Sequence, residues 1–202
     1  MPSVGVLDLQ GDVAEHVAAL NRLGVEVVSV KNRAALDRVT ALIIPGGEST
    51  TVMKLLARFD LIEPIRRRVR DGMPLWGTCM GMIVAAHDVV GSDQPTLDLL
   101  DISVRRNAFG RQNESAELPL AIPALGEPPF PAIFIRAPWI ERVGAQVELL
   151  AEYGGYGVMV RQGHILGTSF HPELSTDTRV HAYFLDMARI APATVGKAAS
   201  AA

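Results

Sequence analysis

The stretch that decides the fold runs from Met73 to Met82 and reads Met-Pro-Leu-Trp-Gly-Thr-Cys-Met-Gly-Met. Its apolar start, residues 74–76, predicts the end of a short buried strand, and residues 80–86 predict a helix. Cys79 lies in the turn between them, with a glycine two residues to either side. This is the thiol form of the G-x-S-x-G nucleophile elbow, in which small neighbours let a tight strand-to-helix turn hold the nucleophile above a sheet.

The position of Cys79 also favours chemistry. A helix N-terminus stabilises an anion such as a thiolate, and the backbone N–H of Met80 points to where an oxyanion would form. A lone cysteine, however, is often a small buried apolar residue. The short G-x-C-x-G spacing leaves both interpretations open until its context is known.

Length and composition predict one globular domain. The 202 residues suffice for one sizeable core, which we place at residues 1–190, followed by a disordered tail at residues 191–202. A single cysteine excludes an intramolecular disulfide framework and a cysteine-based zinc site, and it fits a reducing compartment. The formal charge of −3 argues against a nucleic-acid partner. No apolar run approaches the ~18 residues needed to cross a bilayer, so we expect a cytoplasmic protein.

The first half of the chain alternates short apolar strands with helical stretches. Strands are predicted at residues 4–9, 25–30 and 41–44, with a helix at residues 13–23. Apolar strands separated by helices indicate a mostly parallel sheet covered on both faces, that is, a three-layer α/β sandwich. Such sheets bind ligands at the carboxyl ends of their strands. Three loops at this edge are therefore candidates for ligand binding: residues 10–12, residues 45–50 and the turn at Cys79.

The second of these loops reads Pro45-Gly46-Gly47-Glu48-Ser49-Thr50. Adjacent glycines present bare N–H groups to a ligand, but the lysine and the spacing of a phosphate-binding P-loop are missing. The same residues also fit a turn followed by a helix N-cap at Ser49 or Thr50. We expect both, with the cap holding a loop whose N–H groups bind.

Residues 91–131 change to short strands with long loops, which we interpret as an insertion into the same domain. Strands are predicted at residues 99–105, 107–113 and 117–122, and another at residues 132–135. Arginine is suited to holding a carboxylate in a bidentate pair. The candidates, among which the residues alone do not choose, are Arg105, Arg106, Arg111 and Arg136.

Three closing strands are predicted at residues 147–151, 156–161 and 165–169, before a helix at residues 176–190. The last strand runs into Phe170-His171-Pro172-Glu173-Leu174. Pro172 favours an extended His171, and residues two apart in an extended segment project to the same side. Glu173 would thus hold one ring nitrogen of His171 and leave the other for a nucleophile.

These residues would form a triad in the chain order Cys79, His171, Glu173. A strand-terminal histidine held by its neighbours is the alternative. The other histidines lack such a partner and are interpreted as structural or surface residues: His16, His87, His164 and His181.

Together these segments resemble the class I (triad) glutamine amidotransferases, and among them the glutaminase subunits of pyridoxal 5'-phosphate synthase. The resemblance runs nearly end to end. The elbow and His-Pro-Glu are shared by the whole class, whereas Gly-Gly-Glu-Ser-Thr, Asn-Ala-Phe-Gly-Arg-Gln and Phe-Ile-Arg-Ala-Pro are specific to these subunits. The matching segments are residues 9–12 with 15–16, 45–51, 77–79 with Gly81, 106–112, 134–138 and 170–174.

The resemblance implies a flavodoxin-like fold and hydrolysis of L-glutamine to glutamate and ammonia, without metal or cofactor. It places the catalytic triad on Cys79, His171 and Glu173, and we expect the N–H groups of Gly47 and Met80 to hold the oxyanion. It implies a TIM-barrel synthase subunit as the partner, which receives ammonia through an internal channel in a complex of twelve copies of each chain. The glutamine-binding positions it implies are Gly47, Glu48, Ser49, Arg106, Ile135 and Arg136.

Three alternatives stay open: a glutaminase subunit of imidazole glycerol phosphate synthase, a cysteine peptidase on the same sheet, and a docking module without catalysis. The chain also departs from the family pattern at three positions. Asp8 is acidic where the family is apolar or small, Met80 replaces alanine, and Ala116 replaces phenylalanine.

Overall fold

The computed structural model describes residues 3–106 and 115–191. Within these ranges the chain forms a ten-stranded mixed sheet, a separate two-stranded hairpin, six α-helices and two 3₁₀ turns. The strands are β1 (Val4–Leu7), β2 (Val27–Val30), β3 (Ala41–Ile44), β4 (Leu75–Thr78), β5 (Ala86–Val89), β6 (Leu100–Arg105), β7 (Ser115–Leu120), β8 (Phe130–Ile135), β9 (Trp139–Val143), β10 (Glu148–Tyr153), β11 (Tyr156–Gln162) and β12 (Ile165–Thr168). The helices are α1 (Val13–Arg22), α2 (Arg33–Leu36), α3 (Ser49–Arg58), α4 (Ile62–Arg70), α5 (Met80–Ala85) and α6 (Arg179–Met187), and the 3₁₀ turns are Pro123–Leu125 and Pro172–Leu174.

The sheet has the strand order β2-β1-β3-β4-β12-β11-β9-β6-β5, and β10 also pairs with β11. From β2 to β12 all strands are parallel, in the 2-1-3-4-5 order of flavodoxin-like folds. The remaining strands pair antiparallel, except for β5 with β6, and β7 with β8 form the separate hairpin. The predicted flavodoxin-like fold is confirmed.

Two apolar layers cover the faces of the parallel strands. In β3, Leu42 and Ile44 pack into the layer formed with α3, α4 and α5, whereas Ala41 and Ile43 pack into the layer formed with α1 and α6. Because every residue of β3 is buried, the strand reads as a continuous apolar run rather than an alternating one.

The predicted elements agree with the structure in the parallel half and differ at its edges. The helix predicted through residue 86 ends at Ala85, because Ala86 begins β5. The last helix begins at Arg179 rather than at residue 176, since the Asp177 N–H donates to the Ser175 hydroxyl and the Arg179 N–H donates to Asp177, which holds this stretch as a turn. The short α2 and the strands β5 and β9 were not predicted.

The strand predicted at residues 107–113 lies outside the described residues, as does the predicted tail apart from Ala191. Among the departures, Asp8 follows β1 and is held by the Ser29 hydroxyl and Lys31, at 2.6 and 3.2 Å. Ala116 pairs across the hairpin with Phe134. Among the described residues, no helix combines the length and the apolar character that crossing a bilayer would take.

Candidate active site

Cys79 stands in a strained turn between β4 and α5. Its backbone has φ +48° and ψ −106°, a region that side chains rarely adopt, and its N–H donates to the Thr168 carbonyl over 2.7 Å. A Cβ at Gly81 would lie 1.9 Å from the Ile44 carbonyl oxygen, and one at Gly77 would lie 2.4 Å from the Gly81 backbone. Gly81 is therefore required by the close packing of α5 against β3, and Gly77 by the close packing of α5 against β4.

The glycine pair after β3 lies against the loop after β1. The Asp12 N–H donates to the Gly46 carbonyl over 3.1 Å, and the Glu48 N–H donates to the Gln10 side chain over 2.8 Å. A Cβ at Gly46 would approach the His171 ring to 2.4 Å. Gly46 is thus what allows this loop to pass close to the imidazole.

His171 and Glu173 meet at the carboxyl end of β12. The His171 Nδ1 lies 2.7 Å from Glu173 Oε1, and both residues are buried. The extended segment predicted here is wrong, because residues 172–174 form a 3₁₀ turn with Pro172 at its first position, where a missing N–H costs nothing. Glu173 reaches His171 back across this turn.

Asp12 contributes a second carboxylate that the sequence reasoning missed. It occupies the N-cap position of α1, yet its side chain caps no helix N–H and instead lies 3.3 Å from His171 Nδ1. With Nδ1 facing two carboxylates, Nε2 is left as the nitrogen that can serve Cys79. An acidic residue in the loop that follows β1, a strand of the parallel sheet, was the signal available in the sequence.

The electrostatics of this cluster favour a charged imidazole. Burial opposes the charge on His171, but hydrogen bonds with Asp12, Cys79 and Glu173 outweigh it and raise the pKa of His171 to about 12. The hydrogen bond with His171 lowers the pKa of Asp12. Burial raises the pKa of Glu173, and the hydrogen bond with His171 opposes it. The arrangement favours an imidazolium beside the sulfur.

Asp12, His171 and Glu173 also place possible metal-ligand atoms within 4.8 Å of one another. The contacts among these three side chains already account for the cluster, because the one Nδ1 proton lies between the two carboxylates. We therefore interpret it as a hydrogen-bonded group rather than a metal site.

A cavity of about 420 Å³ opens above Cys79. Of the residues proposed from the sequence, Glu173 lies behind the cavity and the others line it: Gly47, Glu48, Ser49, Cys79, Met80, Arg106, Ile135, Arg136 and His171. The structure thus brings together residues from five separate segments. Gln10, Gly11, Asp12, Ile83 and Leu174 complete the lining.

One wall of the cavity is a polar network. Arg106 donates to Glu48 and to Gln94, over 2.8 and 2.9 Å, and the Ser49 hydroxyl donates to the same Gln94 oxygen over 3.0 Å. The N-cap predicted at Ser49 or Thr50 is one or two residues too late, since Glu48 accepts from the Thr51 N–H and caps α3. Burial opposes ionisation of Glu48, but hydrogen bonds from Thr50 and Thr51 lower its pKa to about 2.

The opposite wall is made by Ile135 and Arg136. The Cys79 sulfur lies 3.8 Å from the Ile135 carbonyl oxygen, and Arg136 has φ +43°. Among the residues that the structure describes, Arg136 has no ion pair, so its exposed guanidinium is available to a ligand. Arg105, in contrast, pairs with Glu141 and does not line the cavity, and Arg111 lies outside the described residues.

Comparison with known proteins decides the family. Residues 6–189 match the model of the SNO glutamine amidotransferase family. This chain belongs to that family. A relative from Moorella thermoacetica, named "Pyridoxal 5'-phosphate synthase subunit PdxT", is 52% identical over 184 residues, covering 91% of this chain and 98% of the relative. A relative of the same name from Streptomyces avermitilis is 53% identical over 190 residues, covering 93% and 94%.

The fold comparison agrees with this membership in the SNO glutamine amidotransferase family. A solved structure described as a glutamine amidotransferase superposes with a TM-score of 0.88 at 49% identity, covering 93% of this chain and 99% of the other. The residues matched by the family model, 6–189, include the strands that carry the elbow and the His171 segment.

The charge of Asp12 should hold the proton on His171. We expect Asp12→Asn, which keeps the shape and removes the charge, to make His171 titrate at lower pH, because a hydrogen bond with Asp12 raises the pKa of that ring. Ring resonances of His171 followed by NMR from pH 6 upward measure this. Asp37→Asn, which removes a carboxylate paired with Arg33 on α2, is the control. Identical His171 titration in the wild type and Asp12→Asn would contradict the assignment.

Proposed function

We propose that this chain is the glutaminase subunit of a pyridoxal 5'-phosphate synthase, built as one amidotransferase domain over residues 1–190. The observation that carries the proposal is the meeting of Cys79 and His171 at a cavity that also exposes Arg136, with Glu173 hydrogen-bonded to His171 behind the cavity. The names of the relatives support this assignment over a subunit of imidazole glycerol phosphate synthase.

In the first half of the reaction, the Cys79 thiolate attacks the side-chain amide carbon of L-glutamine. The N–H groups of Gly47 and Met80, both at the cavity, hold the resulting oxyanion. The Met80 N–H lies in the first turn of α5 and has no acceptor within its helix, which suits it to this role. The His171 imidazolium then gives its proton to the departing nitrogen, which leaves as ammonia, and a γ-glutamyl thioester remains on Cys79.

In the second half, neutral His171 takes a proton from water, and the hydroxide attacks the thioester. Collapse of the second tetrahedral intermediate releases glutamate and restores the thiolate beside an imidazolium. Glu173 orients the ring through Nδ1 and balances its charge in both halves. General acid–base catalysis of this kind contributes about 10²–10⁴ in rate.

The two charged ends of the amino acid match the walls of the cavity. Arg136 suits the α-carboxylate, since a guanidinium holds a carboxylate through two parallel hydrogen bonds. Glu48, whose hydrogen bonds keep it ionised, suits the α-ammonium group of the substrate. Arg106 holds the Glu48 carboxylate in place, and Gln94 in turn accepts a hydrogen bond from Arg106. Ser49 and the Ile135 backbone complete the glutamine-binding set.

The ammonia is useful only if it is kept from water, so we propose that a TIM-barrel synthase subunit binds this chain and receives ammonia through an internal channel. By family resemblance, twelve copies of each chain assemble. We place the complex in the cytoplasm, because a reaction that depends on the free thiol of Cys79 requires a reducing compartment.

The nucleophile is tested by Cys79→Ala in the presence of the synthase subunit. We expect glutamate release to fall by roughly 10⁴-fold or more, because a triad without its nucleophile retains little activity. Coupled measurement of glutamate with glutamine as substrate gives the rate. Unchanged release would refute the triad, and cleavage of peptides without release of glutamate would favour a peptidase instead.

The role of Arg136 is tested by Arg136→Ala. Removing a charge-assisted contact to the substrate, worth about 1.5–3 kcal/mol, should raise KM for glutamine about tenfold to hundredfold. Steady-state kinetics of the complex measures it, with Arg142→Ala as the control, because Arg142 pairs with Asp101 away from the cavity. Equal KM values in wild type and Arg136→Ala would exclude Arg136 from the site.

The stoichiometry is tested by mixing the full chain with its synthase subunit. Light scattering during size-exclusion chromatography should give the mass of twelve copies of each chain. A smaller ring, or no complex under conditions that support glutaminase activity, would overturn the proposed assembly.

A further inference from the structure

Behind the triad lies a buried chain of polar side chains that the proposed mechanism does not use. His16 on α1 and His181 on α6 are fully buried, and their rings meet with Nδ1 of His16 at 3.1 Å from Nε2 of His181. The other ring nitrogen of His16 points toward the site, at 3.2 Å from the Thr78 hydroxyl and 3.5 Å from Glu173 Oε2. His16 therefore touches both the residue before the nucleophile and the triad carboxylate.

Glu173 needs a donor at this place. Its Oε1 is taken by His171, while Oε2 is buried and has no hydrogen bond among the described residues within ordinary distance. A buried carboxylate oxygen left unpaired favours the neutral acid, which would remove the charge that orients His171. Among the described residues, the His16 ring presents Nε2 to that oxygen at 3.5 Å.

The tautomers follow from the acceptor at each end. An ionised carboxylate only accepts and the Thr78 hydroxyl can also accept, so both contacts of His16 Nε2 fit a proton on that nitrogen, and Nδ1 must then accept from Nε2 of His181. The remaining Nδ1 of His181 is a bare acceptor, and it is this atom that lacks a partner within the described part of the chain. Unpaired buried acceptors are tolerated better than unpaired N–H groups. Burial lowers the pKa of both histidines, to about 3 for His181, which keeps the two rings neutral.

Resting on the proposed glutaminase function, we propose that His16 is a positioning residue that donates from Nε2 to Glu173 Oε2, holds this carboxylate ionised and in register with His171, and is itself oriented by His181. The hydrogen-bonded chain then runs from His181 through His16, Glu173 and His171 to Cys79. The alternative is a core histidine that only packs, since its ring lies edge-on to Trp76 at 5.5 Å.

Two substitutions at His16 separate the effect of its N–H donor from the effect of its packing. Both are made in the full chain and assayed with the synthase subunit. His16→Gln places an amide N–H near the position of Nε2, whereas His16→Leu fills the space without a donor, and both remove the ring contacts. We expect His16→Leu to lower kcat about 10- to 100-fold with KM changed less than about twofold, because a misplaced catalytic group costs up to ~10² in rate. His16→Gln should recover most of that loss.

Two further variants serve as controls for the comparison of His16→Gln with His16→Leu. The asparagine side chain of His16→Asn is polar but too short to reach Glu173, so its kcat should fall as in His16→Leu. If urea unfolding shows that His16→Leu is not folded, His16→Asn takes its place in the comparison. His164→Gln is the matched control, because His164 contacts the Val69 carbonyl at 2.7 Å far from the triad. It should leave kcat unchanged.

The outcomes separate this proposal from the function on which it rests. Equal kcat values for the Gln, Leu and Asn variants, or an equal loss in His164→Gln, would overturn the role of His16 while glutamate release by the wild type upholds the function. A wild-type complex that releases no glutamate would overturn the proposed function itself, and the role of His16 with it.

Discussion

His171 and Glu173 form a buried imidazolium–carboxylate pair. Burying such a pair costs free energy unless hydrogen-bonding partners stabilise both charges. Glu173 is closed off from solvent, and His171 keeps only a narrow opening toward the cavity. The elements around them supply what the pair needs: Asp12 from the loop before α1, the close backbone of Gly46, and the thiol of Cys79. The architecture of this sheet edge follows from meeting that requirement.

Strain and close packing are concentrated at the same edge. Cys79 and Arg136 both adopt positive φ without being glycine, and both line the cavity. Such conformations cost about 1–3 kcal/mol each and persist only where neighbouring structure holds them. At Cys79 the backbone is held by the Thr168 carbonyl and by close packing at Gly77 and Gly81, which lets α5 lie directly on β4 and β3.

Much of this was accessible from the sequence because the signals are local. The continuous apolar runs of β1, β3 and β4 predict a parallel sheet, and the glycine spacing around Cys79 predicts the turn. Once the sheet is parallel, the loops at its carboxyl edge must meet, so residues 10–12, residues 45–50 and the turn at Cys79 could be proposed as one site from the residues alone. Arg106, Ile135 and Arg136 were placed at that site by the family resemblance.

The parts that escaped prediction depend on partners distant in the chain. In the sequence, Asp12 looks like an ordinary helix cap, and only the fold brings it to His171, 159 positions later in the chain. Gln94 lies in a loop with no periodic pattern, and its role depends on meeting Ser49 and Arg106. The 3₁₀ turn at Pro172 was missed because proline fits both an extended segment and the first position of a helix, and local sequence does not distinguish them.

The nucleophile and its base are mounted on adjacent parallel strands, with Thr78 of β4 paired to Thr168 of β12. The separation between sulfur and imidazole is consequently fixed by main-chain registration, where a slip of one residue would displace one against the other by about 3.3 Å. Apolar side chains elsewhere in the two layers can therefore be exchanged during divergence without retuning the catalytic geometry. The hydrogen-bonded register between β4 and β12 therefore sets the distance between the nucleophile and its base.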